Sequence, residues 1–149
     1  MRIVPELRGR RGVVLDTMVW IYLLEDVPEH AEAAEVLIES ARKGEFGAVM
    51  TPITCAELIV KPLKEGRPDI ADRYRRMLSA LPHLEQAVID GATGWMAGSL
   101  RAKYALPLPD MLQVAVALRE VQPTLITHDK ALKRVKEAKV LTIVEAVEA

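Results

Sequence analysis

Four acidic residues, Asp16, Glu57, Asp110 and Asp129, each stand where an apolar segment meets a turn or a helix start. Carboxylates gathered in one cleft repel each other unless they are protonated or share a divalent cation. A cluster of this kind would suit metal-assisted chemistry on a phosphodiester. Each acid also has an ordinary explanation. Asp16 can cap the helix after its strand, Glu57 can partner Thr54 in a capping box, and Asp110 and Asp129 can cap or open helices of their own. Four unrelated caps, however, need not fall at four places that one topology brings to one edge.

The elements that would position these acids follow from apolar patterning. Residues Gly12 to Leu15 (GVVL) read as a strand buried on both faces, closed by Asp16. Thr17 to Glu25 has helical spacing, and Pro28 opens a second helix with Ala34, Leu37, Ile38 and Ala41 on one face. Ala48 to Thr51 is a second strand. Thr54 to Val60 begins a helix containing Glu57, which a break at KPLKEGRPD ends. A further helix turns Ile70, Tyr74, Met77, Leu78 and Leu81 inward. Leu84 to Ile89 reads as a third strand. Asp90 caps a helix through Tyr104 that carries Trp95, Met96 and Leu100, and Pro109-Asp110 opens another through Val121. Thr124 to Thr127 and Val140 to Val144 are strands flanking a basic helix, Lys130 to Lys139. Short apolar strands alternating with helices predict an α/β fold, a mostly parallel sheet covered on both faces. In such sheets ligands bind outside the carboxyl ends of the strands, where Asp16 and Asp129 fall. The 19-residue step from Asp110 to Asp129 suits one helix, a turn and a strand.

Other residues add less. Thr17 and Thr127 are hydroxyls beside the outer acids that can hold a water or steady a ligand, or simply end a strand or cap a helix. His128 adjoins Asp129 in extended chain, so its side chain points the other way. The three histidines, His30, His83 and His128, lie too far apart in sequence to spell a zinc motif. Arg101 and Lys103 precede Asp110 and can reach substrate phosphates, although solvated helix faces are the commoner use of such residues. Trp20, Tyr22 and Leu24 form a stripe suited to core packing, with a partner surface as the other use.

The bulk properties fit one domain spanning residues 1–149, large enough to bury about two thirds of its unfolded surface. The net charge of -1 excludes a protein that coats nucleic acid by charge alone, so any such site is local. No apolar run reaches membrane-spanning length and no secretory signal opens the chain, which predicts a cytoplasmic protein. The single cysteine, Cys55, reads as inert packing.

On these motifs the chain resembles the PIN-domain ribonucleases, most closely the toxin half of VapBC-type toxin-antitoxin pairs. VVLDTMVWIYLLE looks like the family's first strand, Asp and helix, and TCAELIV like its Glu-bearing helix. LPLPDMLQVAVAL and LITHDKAL look like its third and fourth acidic segments, in the family's order. The resemblance implies a three-layer α/β/α sandwich with four to five strands. It further implies a metal-dependent endoribonuclease in which Asp16, Glu57, Asp110 and Asp129 coordinate Mg²⁺ or Mn²⁺, with Thr127 in support. An RNA substrate, a cognate antitoxin and a homodimer come with it. The chain departs at Met18, where members often carry Ser or Thr, which leaves Thr17 as the nearer hydroxyl. Two other readings stand beside this one: a housekeeping RNA-processing nuclease, and a non-catalytic PIN-like module that binds RNA or protein. A haloacid-dehalogenase-like phosphatase needs a second Asp where Met18 stands, and a receiver domain needs paired acids where Asp16 stands alone.

Overall fold

The computed structural model describes residues 1–149. Three strands near the chain's start and middle, β2 (Val13–Leu15), β3 (Ala48–Met50) and β4 (Leu84–Gln86), join two later ones, β5 (Thr124–Thr127) and β6 (Lys139–Thr142). All neighbouring pairs are parallel, in the order β4-β3-β2-β5-β6. A separate antiparallel pair ties the termini together, β1 (Arg2–Ile3) with β7 (Val147–Glu148). These two-residue strands carry no periodic signal, and the sequence reading lacks them.

Alternation along the strands builds two cores. Val13, Leu15, Ala48, Met50, Ile126 and Leu141 face one way, and Val14, Val49, Leu125 and Val140 the other. The first face is covered by α1 (Thr17–Leu24), α2 (Ala31–Arg42), α3 (Pro52–Lys64) and α4 (Pro68–Ser79), and the second by α5 (Gly91–Tyr104) and α6 (Leu108–Ala117). This is the three-layer α/β/α arrangement. Burying each large aliphatic side chain contributes about 1.5–3 kcal/mol, and β2 is buried at all three positions.

The strand order makes β2 the hinge of the topology. The chain runs outward from β2 to β3 and β4, then crosses by α5 and α6 to β5 on the opposite side of β2. Diverging connections open a crevice at the carboxyl ends of the strands where the order reverses. Asp16 follows β2, Thr51 follows β3 and Thr127 closes β5, so three adjacent strand ends deliver polar side chains to one place.

Several elements differ from their sequence reading. Helix α3 starts at Pro52 and runs through Pro62, because Thr51 is its N-cap and a proline's missing N–H removes one helical bond without stopping the chain here. Helix α6 stops at Ala117, short of Val121. The predicted basic helix Lys130 to Lys139 is only a 3-10 turn, Lys130–Arg134, since the chain must regain the sheet at Lys139. On α4 Ala71 and Leu78 are buried, but Met77 is exposed. On α5 Ala97 and Leu100 pack inward while Trp95 stands 83% exposed. Cys55 is exposed rather than packed, and partial burial of its thiol pushes its pKa up.

Candidate active site at the strand ends

Asp16 is the N-cap of α1 and almost wholly buried, at 9% exposure. A buried carboxylate is costly unless its oxygens are bonded. Three donors meet that need: the Thr17 N–H at 2.7 Å and the Gln113 Nε2 at 2.9 Å reach Oδ1, and the Thr127 hydroxyl at 2.7 Å reaches Oδ2. Burial pushes the Asp16 pKa up, the Thr127 and Thr17 hydrogen bonds pull it down, and the Asp129 charge adds a smaller rise. Each oxygen of this carboxylate therefore already faces at least one fixed donor.

Gln113 belongs to none of the acidic motifs of the sequence. It lies on α6 with 1% exposure, and its Oε1 accepts from the Thr51 hydroxyl at 2.9 Å. That bond leaves Nε2 for Asp16, so strand end β3, helix α6 and strand end β2 are connected through one amide. Its only sequence signal is a polar residue inside the otherwise apolar run MLQVAVAL. An amide on a buried helix face must find partners, which is reason enough to look for a site beside it.

Glu57 sits in the second turn of α3, exposed at the crevice. It does not form a capping box with Thr54, because the helix begins two residues before that threonine. Instead the Thr17 hydroxyl lies 2.8 Å from Glu57 Oε1 and 2.9 Å from the Thr54 hydroxyl. With the carboxylate as acceptor only, Thr17 donates to Glu57 and accepts from Thr54. Thr17 thus links the helix after β2 to the helix after β3.

Asp110 is the third residue of α6, half-buried, and no donor or cation touches its carboxyl. Burial first, then the charges of Asp16, Asp129 and Glu57, push its pKa up to about 6. Asp129 is exposed; its Oδ1 accepts from the Ala131 N–H at 2.9 Å and its own N–H donates to Thr127 Oγ1 at 3.1 Å. Capping thus describes Asp129 in part and Asp110 not at all.

The four acids accordingly share one electrostatic neighbourhood at one sheet edge. No Lys or Arg forms an ion pair with any of them, although eleven ion pairs occur elsewhere. No three of them close to the spacing of a preformed ion cage. Unpaired carboxylate oxygens still fit a hard divalent ion, which commonly takes one or two carboxylates and keeps its waters. Of the two basic residues read as RNA contacts, Lys103 is paired with Glu137 at 3.1 Å, and Arg101 bonds the Leu106 carbonyl at 3.0 Å. His128 meets the Tyr22 hydroxyl through Nδ1 at 2.6 Å.

A parallel α/β domain with an acidic crevice at its topological switch point is the class that fold and site define. Residues 13–138 match the model of the PIN domain family, and the chain belongs to that family, whose members are generally nucleases. Among solved structures the chain is similar to VapBC2 from Rickettsia felis bound to a DNA fragment from its promoter, with a TM-score of 0.69, 20% identity, and 87% of this chain and 97% of that chain covered. It is similar to a toxin-antitoxin complex from Klebsiella pneumoniae, at TM-score 0.65 and 23% identity over 88% of this chain and 97% of the other. FitAcB from Neisseria gonorrhoeae matches at TM-score 0.65 and 17% identity, covering 89% and 98%. No curated protein matches the chain by sequence. No helix is long and apolar enough to cross a membrane.

Proposed function

We propose that this protein is a metal-dependent endoribonuclease, the cytoplasmic toxin component of a type II toxin-antitoxin pair, in which Asp16, Glu57, Asp110 and Asp129 hold Mg²⁺ or Mn²⁺. The observation that carries the reading is Asp110. Its carboxyl is raised to about 6, first by burial and then by the charges of three neighbouring acids, with no cation to offset them. A structural cap has no use for that repulsion, whereas a cation site requires it.

A divalent ion bound there would supply Lewis acidity toward water and a phosphoryl oxygen. The chain's own residues prepare for it. Thr127, Gln113 and the Thr17 N–H hold the buried Asp16 carboxyl in one orientation. The Thr17 hydroxyl steadies Glu57, and Asp110 is left free of protein donors so that its oxygens are available to a ligand. Thr127 supports both Asp16 and the backbone of Asp129.

A cognate antitoxin and a second copy of the chain are the proposed protein partners. Trp95, Met96 and Val88 are among the exposed large apolar side chains open to such contacts. The toxin-antitoxin complexes among the structural relatives favour this reading over a housekeeping nuclease. The presence of all four acids favours it over a non-catalytic module.

Incubating the purified protein with a structured RNA pool and Mn²⁺ tests the activity. Cleavage that EDTA stops, and that Asp16→Asn and Asp110→Asn each remove without unfolding the protein, is expected. Cleavage surviving both substitutions and EDTA would overturn the assignment.

A further inference from the structure

Beside the acidic edge lies a cavity of about 460 Å³ between the start of α2 and the end of β6. His128 and Lys130 line it, whereas Asp129, between them in sequence, does not. One short segment therefore contributes a carboxylate to the crevice and two nitrogen-bearing side chains to the neighbouring hollow. His30 closes the hollow from α2's side.

The chemistry of this hollow is that of an anion site. Lys130 has no acidic partner, unlike Lys133, which is held by Glu145. Glu145, the one acid of the lining, is spent on Lys133 and on the Thr142 hydroxyl at 3.0 Å. Tyr22 is buried, and His128 Nδ1 at 2.6 Å is the sole hydrogen-bond partner of its hydroxyl. The phenolic proton thus goes to Nδ1, and a neutral His128 carries its own proton on Nε2, as a donor. The Tyr22 ring lies 4.5 Å from that of His30 and 5.4 Å from that of His128, with the two imidazoles 5.6 Å apart, so this wall is fixed by packing. The two imidazoles and Glu145 do not close into a metal site.

We propose that this hollow binds a phosphate of the substrate strand, next to the one cleaved at the acidic edge, through Lys130 Nζ and His128 Nε2–H. The proposal rests on the RNA-cleaving reading of the crevice. It solves a problem of charge: an acidic centre in a protein of net charge -1 repels a polyanion, and a local cation beside it offsets that repulsion. Phosphate suits the hollow because its groups are a free ammonium and an imidazole, with the rings of His30, His128 and Tyr22 packed against one another in tilted and edge-to-face contacts.

Two measurements decide it. In the first, inorganic phosphate is titrated into the metal-free protein while the ring resonances of His30 and His128 are followed by NMR. Both should move together with millimolar phosphate, and Lys130→Met should remove the response. Resonances that ignore phosphate, or respond equally in Lys130→Met, would overturn the site. In the second, Lys130→Met should raise KM for a short RNA about tenfold with kcat unchanged, and should lower the salt slope of binding by about 0.7. A fall in kcat at unchanged KM would also overturn it. His128→Gln, which keeps a donor at the Nε2 position, should restore KM where His128→Ala does not. If no RNA is cleaved, the nuclease reading falls, while the phosphate titration still decides the hollow.

Discussion

Gln113 Nε2 donates to Asp16 Oδ1 at 2.9 Å, from a helix that reaches the carboxylate 97 positions later in the chain. The amide cannot serve equally well the other way round, because the Asp16 carboxylate only accepts, whereas the Thr51 hydroxyl at Oε1 can donate or accept. Asp16 is thus oriented by its neighbours before any ligand arrives, and such supporting contacts commonly weigh on site activity by 10–100-fold.

Replacing Gln113 by Leu removes the donor at near-constant volume. It strands part of a buried carboxylate and the Thr51 hydroxyl, so stability should fall by about 1–3 kcal/mol. RNA cleavage should fall by about 10–100-fold. Urea unfolding and single-turnover cleavage measured on the same sample check both parts.

Thr17 and Thr54 offer a paired comparison. Thr17→Val loses the hydroxyl that holds Glu57, whereas Thr54→Val leaves that bond in place. Both should cost about 1 kcal/mol of stability. Only Thr17→Val should also weaken cleavage, by about tenfold. Equal effects of the two on activity would remove Thr17 from the site.

Asp110 predicts the pH dependence of the metal-free protein. Its carboxyl is raised from 3.8 to about 6 in the fold, so between those values the folded chain holds a proton that the unfolded chain has released. Stability should therefore increase as pH falls from 7.5 through 6, the reverse of an ion-paired acid. Half-exposure screens the effect to about 1 kcal/mol, or about 3 °C in Tm. Asp110→Asn should raise Tm at pH 7.5 and remove the dependence, which thermal scans in EDTA at pH 5.5 and 7.5 will read.

A divalent ion should reverse that order. At a hundred times its Kd it stabilises the folded chain by about 2.7 kcal/mol. Tm at pH 7.5 should rise on adding Mn²⁺ to the wild type and stay flat in Asp16→Asn.

Much of this site was readable from sequence because strand ends and helix starts are local features. GVVL before Asp16 and TLIT before His128-Asp129 placed two acids at the sheet edge, and β2 and β5 lie there. The capping-box reading puts Glu57 on the correct helix but a turn too early, because Thr51 rather than Thr54 is the N-cap of α3. Gln113 is not legible in the sequence because a single amide in an apolar helix takes its meaning from partners on other elements. The basic run 130–139 looked helical by composition, yet the short return to β6 left room only for a 3-10 turn. Of the three large apolar residues on α5, the sequence does not say which face the core, and the fold buries Leu100 while leaving Trp95 and Met96 exposed.

The most direct measurement is calorimetric Mn²⁺ binding at pH 6 and pH 8, in buffers of different ionisation enthalpy. A cation site that includes Asp110 should release about half a proton per bound ion at pH 6 and almost none at pH 8. Asp110→Asn should bind more weakly and release none. No binding by the wild type, or binding with equal affinity and proton release in Asp110→Asn, would contradict the assignment of the four acids to a metal centre.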